Sequence, residues 1–269
     1  MEAIHSQYLL DLLARNQRAD GRAFDQFRPI SISYNVAPKA EGSVRLKMGK
    51  TEVIVGVKLG VGTPFADRPD EGVLIVNAEL SPLASPLFEL GPPREDAIEI
   101  ARVVDRGIRE SHAVDLAKLC ITPKEKVWNI NIDLYILNHD GNLIDACGLA
   151  ALLTSTLPKL TKEGTIDFEA YEDRAGPLPL GALPLPVTLH KIGGKLVIDP
   201  TLVEEEAAKA RLTVASTEDG RLCAMQKGGT EPFTDQEVDQ AFALAVQKAA
   251  ELRTHLPKPA AAPAKSRKK

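Results

Sequence analysis

The sequence predicts an α+β protein of two related halves, and three observations carry that expectation. Residues 30–80 alternate with the two-residue period of strands. Residues 94–112 carry apolar side chains at helical spacing. The same order, strands and then a closing helix, returns after residue 187. At 269 residues, 44% hydrophobic and 26% charged, the chain is long enough to bury a core without disulfides or a structural metal.

The first periodic segment, residues 6–18, carries Leu9, Leu10, Leu12 and Leu13, with Ser6 placed to cap it and Asp20-Gly21 to break it. Residues 31–36, 44–48 and 51–57 then read as strands. Gly49-Lys50 between the last two reads as a type II′ hairpin turn, and residues 73–80 form a further strand. On the helix at 94–112, Ala97, Ile98, Ala101, Val104 and Ile108 share one face. Residues 127–137 alternate as a strand, and His139-Asp140-Gly141-Asn142 turns the chain. A helix at 145–157 follows, whose Ala146, Cys147, Gly148, Ala150 and Ala151 suit close packing between elements.

Residues 164–186 are rich in proline and read as a connector. Strands follow at 187–192, 195–198, 211–216 and 222–226, and a helix at 234–253 with Asp235 in its first turn. The expected organisation is a helix and arm at 1–29, a first half at 30–163, the connector at 164–186, a second half at 187–254 and a disordered basic tail at 255–269.

Composition excludes several classes. No apolar run approaches the ~18 residues of a membrane-spanning helix. The N-terminus Met1-Glu2-Ala3-Ile4-His5 lacks the basic flank and apolar core of a signal peptide, so a cytoplasmic location with no membrane partner is the expectation. Cys120, Cys147 and Cys223 lie far apart and the five histidines are scattered, which argues against a disulfide framework and against a metal site. The formal charge is −4. The last 13 residues hold five cations and no acid, which leaves −9 on the rest. So acidic a body does not bind nucleic acid over its whole surface, and any such site must be a local cluster.

Several motifs fail on inspection. Gly49-Lys50-Thr51 lacks the earlier glycine of a phosphate loop, since position 44 is Val44, and it is preceded by a strand pattern. No Gly-x-Ser-x-Gly elbow or Gly-x-Gly-x-x-Gly run occurs, and the aromatic spacing of an RNA-recognition module is absent. Glu204-Glu205-Glu206 is the densest carboxylate cluster. Converging carboxylates hold Mg²⁺ or shuttle protons, but consecutive acids point apart and read as a solvated turn or helix start.

Arg102, Arg106 and Arg109 form a stripe beside the apolar face of the first long helix, spaced to hold consecutive backbone phosphates. Surface pairing is the alternative. Glu99 lies three residues before Arg102, Asp105 four before Arg109, and Glu110 four after Arg106.

Taken in order, these pieces resemble the RNase PH superfamily of phosphorolytic ribonucleases. Arg18-Ala19-Asp20-Gly21-Arg22 followed by Phe27-Arg28-Pro29-Ile30 is similar to its N-terminal signature, and Glu41-Gly42-Ser43 with Gly49-Lys50-Thr51-Glu52-Val53 to its first hairpin. Glu99-Ile100-Ala101-Arg102-Val103-Val104-Asp105-Arg106 resembles its first long helix, Asp140-Gly141-Asn142 its Asp-Gly turn, and Gly229-Thr230-Glu231-Pro232-Phe233 the run before its last helix. The resemblance covers about residues 18–252. Within the family, the likeness is to the non-catalytic RNase PH-type subunit of the archaeal exosome.

Departures from the catalytic pattern point the same way. Catalytic members follow Asp-Gly with Gly-Thr-Arg, whose hydroxyl, guanidinium and N–H groups hold phosphate, where this chain has Asn142-Leu143-Ile144. They also carry a Glu-Asp pair and a later Asp before a strand. Aligning that strand on Leu212-Thr213-Val214 puts Glu204-Glu205 at the pair and Lys209 at the later Asp, where a cation cannot hold a metal.

The resemblance implies an RNase PH-like fold of two βαβ-type halves, with mixed sheets and packed helices. It implies a non-catalytic subunit alternating with a catalytic RNase PH-type subunit in a hexameric ring, capped by RNA-binding proteins with OB- and KH-type domains. Such a subunit positions single-stranded RNA for 3′-to-5′ phosphorolysis by its partner. It has no catalytic residue, metal ligand or cofactor of its own, since phosphate and any Mg²⁺ belong to the partner's chemistry. The implied RNA contacts are Arg102 and Arg106, with Arg94, in the loop opening the helix, and Arg109 beside them. Two alternatives stay open: a self-sufficient phosphorolytic exoribonuclease with a rearranged phosphate site, and a stand-alone RNA-binding or assembly protein.

Overall fold

The computed structural model describes residues 2–155, 159–160, 176–178 and 180–256. The tail at 257–269 and most of the expected connector lie outside the described residues. The strand pattern becomes β1 (Ile30–Tyr34), β2 (Gly42–Met48), β3 (Thr51–Gly62) and β4 (Val73–Leu80), and later β5 (Cys120–Thr122) and β6 (Lys126–Asn138). Along β3, Val53, Val55 and Val57 point into the core while the residues between them are half-buried, as period two requires. The β2–β3 hairpin closes with Met48 opposite Thr51. Gly49 takes φ +60° and Lys50 does not, which is the type II′ pattern.

These strands form one sheet in the order β1-β2-β3-β6-β4, with β5 on β6. It is a mixed sheet, because β4 runs parallel to β6 and is linked to it through α2 (Glu95–Glu110). A short antiparallel pair, β7 (Lys159–Leu160) and β8 (Gly176–Pro177), leads toward the second sheet. That sheet contains β9 (Leu185–Ile192), β10 (Lys195–Ile198), β11 (Ala210–Ser216) and β12 (Leu222–Gly229). Its order is β10-β9-β11-β12, antiparallel throughout.

The helix α3 (Leu143–Ser155) sits between the sheets, against β2 and β3 on one side and β9 on the other. All its residues are buried, as expected of a helix with no polar face. Its small residues allow the close approach: a Cβ at Gly148 would come within 2.6 Å of Pro186. Beside it, α2 packs on β4 and reaches β12. The last helix, α5 (Asp235–Arg253), covers β9 and β11 through Ala241, Ala245, Ala249 and Leu252. Among the described residues, no helix is long and apolar enough to cross a membrane.

Two helices differ from the sequence pattern. The first, α1 (Glu2–Ala14), begins ahead of Ser6, which therefore lies inside the helix instead of capping it; Asn16, at φ +57°, follows its end. Leu9 and Leu13 pack on Ile192 and Val197, tying this helix to the second sheet. On α2 the buried arc is Ala97, Ile100, Val103, Val104, Gly107 and Ile108, and Ile98 is 48% exposed. The helix is wedged between the two sheets and α3, so its inward face is set by those neighbours and is rotated away from Ile98.

Candidate functional site

Two polar regions lie near the seam between the sheets. The first surrounds the N-terminus of α3. Gly141, at φ +87°, lets the chain pass against α4 (Leu202–Glu206), and a Cβ there would strike the backbone of Thr201 at 2.7 Å. Asn142 follows with its own positive φ of 57°. Its backbone N–H donates to Glu205 Oε2 at 2.8 Å, and its amide donates to Asp199 at 3.0 Å. Leu143 and Ile144 are 6% and 8% exposed and belong to the core.

Glu205 is therefore the anion at the positive end of α3. Its Oε1 lies 3.8 Å from His190 Nε2. Burial pushes the carboxyl pKa up, but His190 and the Asn142 N–H outweigh it and bring it down to about 2. Asp145, wholly buried, goes the other way: burial raises it to about 6 against the Thr188 N–H and hydroxyl that donate to it. Glu204-Glu205-Glu206 does lie at a helix start, in α4, as one reading of the acid run has it, but its first two members turn inward and not into solvent. Glu204 is 1% exposed and accepts two bonds from Arg18, at 2.9 and 2.6 Å. What draws both inward is unpaired positive charge in the interior, from an arginine in one case and a helix terminus in the other.

The N-terminal arginines complete this region. Arg28 lies over Gly49 and donates to Asp199 at 2.7 and 2.9 Å, to the Asp140 carbonyl at 2.6 Å and to the Gly141 carbonyl at 3.2 Å. Arg22 bonds Asp20 and Asp199. These contacts bolt the arm and the β2–β3 turn to the second sheet and employ almost all the local charge internally.

The second region is the exposed face of α2. Ile98, Arg102 and Arg106 form a ridge between two grooves. One, of about 470 Å³, runs along Val76, Asn77 and Ala78 of β4; the other, of about 560 Å³, runs along Thr213 and Ala215 of β11 and Met225 and Gln226 of β12. Arg102 and Arg106 are exposed, and among the described residues neither has an ion-pair partner. Glu99, the neighbour expected for Arg102, is paired with Arg211 instead. Arg109 is committed: it holds Asp105 at 3.0 and 2.6 Å and the Leu74 carbonyl at 2.9 Å, and the Asp105 bond raises its pKa. Arg94 is exposed and paired with Glu89.

Lys209 falls in neither region. It is exposed, just ahead of β11, because residues 207–209 serve as the turn out of α4; its carbonyl accepts the N–H groups of Thr230 and Glu231. The residue near the start of β11 whose side chain reaches α2 is Arg211. The sequence pattern gave no sign of its role, because which face of β11 points toward α2 is set by the packing of the second sheet. Among the described residues no three His, Cys, Asp or Glu side chains converge as metal ligands.

Known proteins account for this architecture. Residues 26–156 match the model for domain 1 of the 3′ exoribonuclease family, and residues 182–248 match domain 2. The chain belongs to this family, the RNase PH family of 3′ exoribonucleases. It is 49% identical over 253 residues to the exosome complex component Rrp42 of Methanosarcina mazei, spanning 93% of this chain and 92% of that protein. The Rrp42 component of Thermococcus kodakarensis is 48% identical over 257 residues, spanning 94% of each. Among solved structures, a chain of the Archaeoglobus fulgidus exosome with RNA bound to the active site superposes with a TM-score of 0.88 at 44% identity, covering 94% of this chain and 98% of its own. Rice Rrp46, at 18% identity and a TM-score of 0.64, shares the fold.

Proposed function

We propose that this chain is a non-catalytic ring subunit of an exosome. It alternates in a hexameric, cytoplasmic complex with a catalytic RNase PH-type subunit and is capped by RNA-binding proteins with OB- and KH-type domains. Its part in the reaction is positioning: it forms one wall of the cleft and holds single-stranded RNA while the partner carries out 3′-to-5′ phosphorolysis. It uses no cofactor of its own, and phosphate and any Mg²⁺ serve the partner.

The observation that carries the non-catalytic reading is the state of the turn before α3. Leu143 and Ile144 are buried apolar residues, and the helix terminus already holds Glu205. A second anion there would meet a carboxylate and find no side-chain donor from either residue. Arg102 and Arg106 support the RNA-positioning part, because their guanidiniums stand exposed and uncommitted on the ridge.

The test is phosphate-dependent release of nucleoside diphosphates from single-stranded RNA, by the chain alone, by a catalytic RNase PH-type subunit alone and by the two mixed. Native mass is measured on each. The expected result is no release by the chain alone, ring formation on mixing, and faster release by the ring than by the partner alone. Robust release by the isolated chain would favour the self-sufficient enzyme. Failure to form a ring would favour the stand-alone RNA binder.

A further inference from the structure

We infer that Arg211 is a positioning residue for RNA: it holds Glu99 against the second sheet and so keeps Arg102 free to meet a phosphate. The inference rests on reading Arg102 and Arg106 as phosphate contacts, and it explains how they stay unpaired on a helix that carries three acids near them.

Each acid is accounted for. Asp105 is taken by Arg109 through both carboxylate oxygens. Glu110 stands four residues after Arg106, with the acid toward the negative end of the helix, which is the weaker order for such a pair. Glu99 is the dangerous one. It lies three residues before Arg102, in the favourable order and within side-chain reach. In the structure it turns away: Oε2 is paired with Arg211, and Oε1 accepts from Gln226 Nε2 at 3.3 Å. Both anchors belong to the second sheet, Arg211 to β11 and Gln226 to β12.

The path of Arg211 to Glu99 is built into the sheet. Arg211 sits opposite Gly228 in the β11–β12 register. A Cβ at Gly228 would lie 2.6 Å from the Arg211 Cζ and 2.7 Å from its Nη1, so the guanidinium crosses the strand where a side chain would otherwise stand. The backbone of Gly228 is outside the left-handed region, so a side chain there would first meet the Arg211 guanidinium, the far end of a flexible side chain. Released from Arg211, Glu99 would neutralise Arg102 and set a carboxylate beside incoming phosphates.

The test is the affinity of the assembled ring for single-stranded oligo(A), compared for wild type, R211M, E99Q and R211M/E99Q, with native mass confirming assembly. R211M should bind about two- to fivefold more weakly, the scale of competition from one exposed ion pair. Adding E99Q should restore wild-type affinity, because the freed acid is then gone. Wild-type affinity in R211M would overturn the inference. So would a loss that E99Q leaves unrepaired, since Arg211 would then act on RNA directly or through packing. If R102A/R106A leaves affinity unchanged, the reading beneath the inference fails, and the inference fails with it.

Discussion

At the junction of the N-terminal arm, α3 and α4, Arg18, Arg22 and Arg28 meet Glu204, Asp199 and Asp140 with little solvent between them. On α2, Arg102 and Arg106 stand exposed, and among the described residues no carboxylate pairs with either. Both regions are rich in arginine and both lie near the seam between the sheets. In the first, burial makes an unpaired charge so costly that every guanidinium is tied to an acid, and even the terminus of α3 is supplied with one. In the second, exposure removes that cost, so charge can be left over for a ligand. The comparison teaches that arginine count says little about binding, and that burial and the disposition of nearby acids say most.

The comparison breaks first at Arg18. R18A leaves buried Glu204 with only the more distant Arg22, at 4.0 Å, and the Thr201 donors, which should cost about 3 kcal/mol and lower the melting temperature by roughly 6–10 °C. A fall below ~2 °C would show that Arg22 and Thr201 compensate the charge without Arg18.

Glu205 comes next. Its folded pKa is depressed, so its stabilising contribution is present above the ordinary pKa of 4.5 and is lost as pH falls toward about 2. E205Q should therefore be less stable than wild type by about 2 kcal/mol at pH 7. The gap should narrow as pH is lowered from 5 through 4, read as the difference in melting temperature at each pH. A gap that does not change with pH would mean that shape, and not charge, fills the end of α3.

The exposed region is tested on RNA. R102A/R106A should leave the ring assembled and change stability by no more than ~1 kcal/mol. The slope of log affinity against log salt should flatten by about 1.4, or ~0.7 for each phosphate of a single strand that is no longer neutralised. An unchanged slope would make both arginines ordinary surface residues. The smallest effects belong to the remaining two arginines. R109A should leave the slope unchanged, since that side chain is held by Asp105 and the Leu74 carbonyl. R94A should shift stability by less than ~0.5 kcal/mol and the slope by at most ~0.7. A flatter slope in R109A would show that Arg109 leaves Asp105 when RNA arrives.

Much of the architecture is legible in residue order alone. The type II′ turn at Gly49-Lys50, the small-residue packing of α3 and the strands of both sheets other than the three-residue β5 follow from local pattern, because turn chemistry and hydrophobic period act over a few residues. Local pattern misleads at the places where distant segments meet. Ile98 fits the apolar face of α2 but is exposed, because the sheets and α3 choose which arc of the helix faces inward. Glu204 and Glu205 open α4, as a helix start would, but their turn inward is invisible in the sequence because Arg18, His190 and the Asn142 N–H that hold them lie well away along the chain.

By itself, then, the sequence determined most of the elements, their order and the family, since each of these is written in residue identity and spacing. Tertiary structure decided which charges are spent and which are free. Glu99 lies three residues from Arg102, yet it is captured by Arg211, 112 residues further along the chain, because β11 brings that guanidinium over Gly228 to the surface of α2. Electrostatic pairing depends on distance in space, and only the packed sheets set that distance.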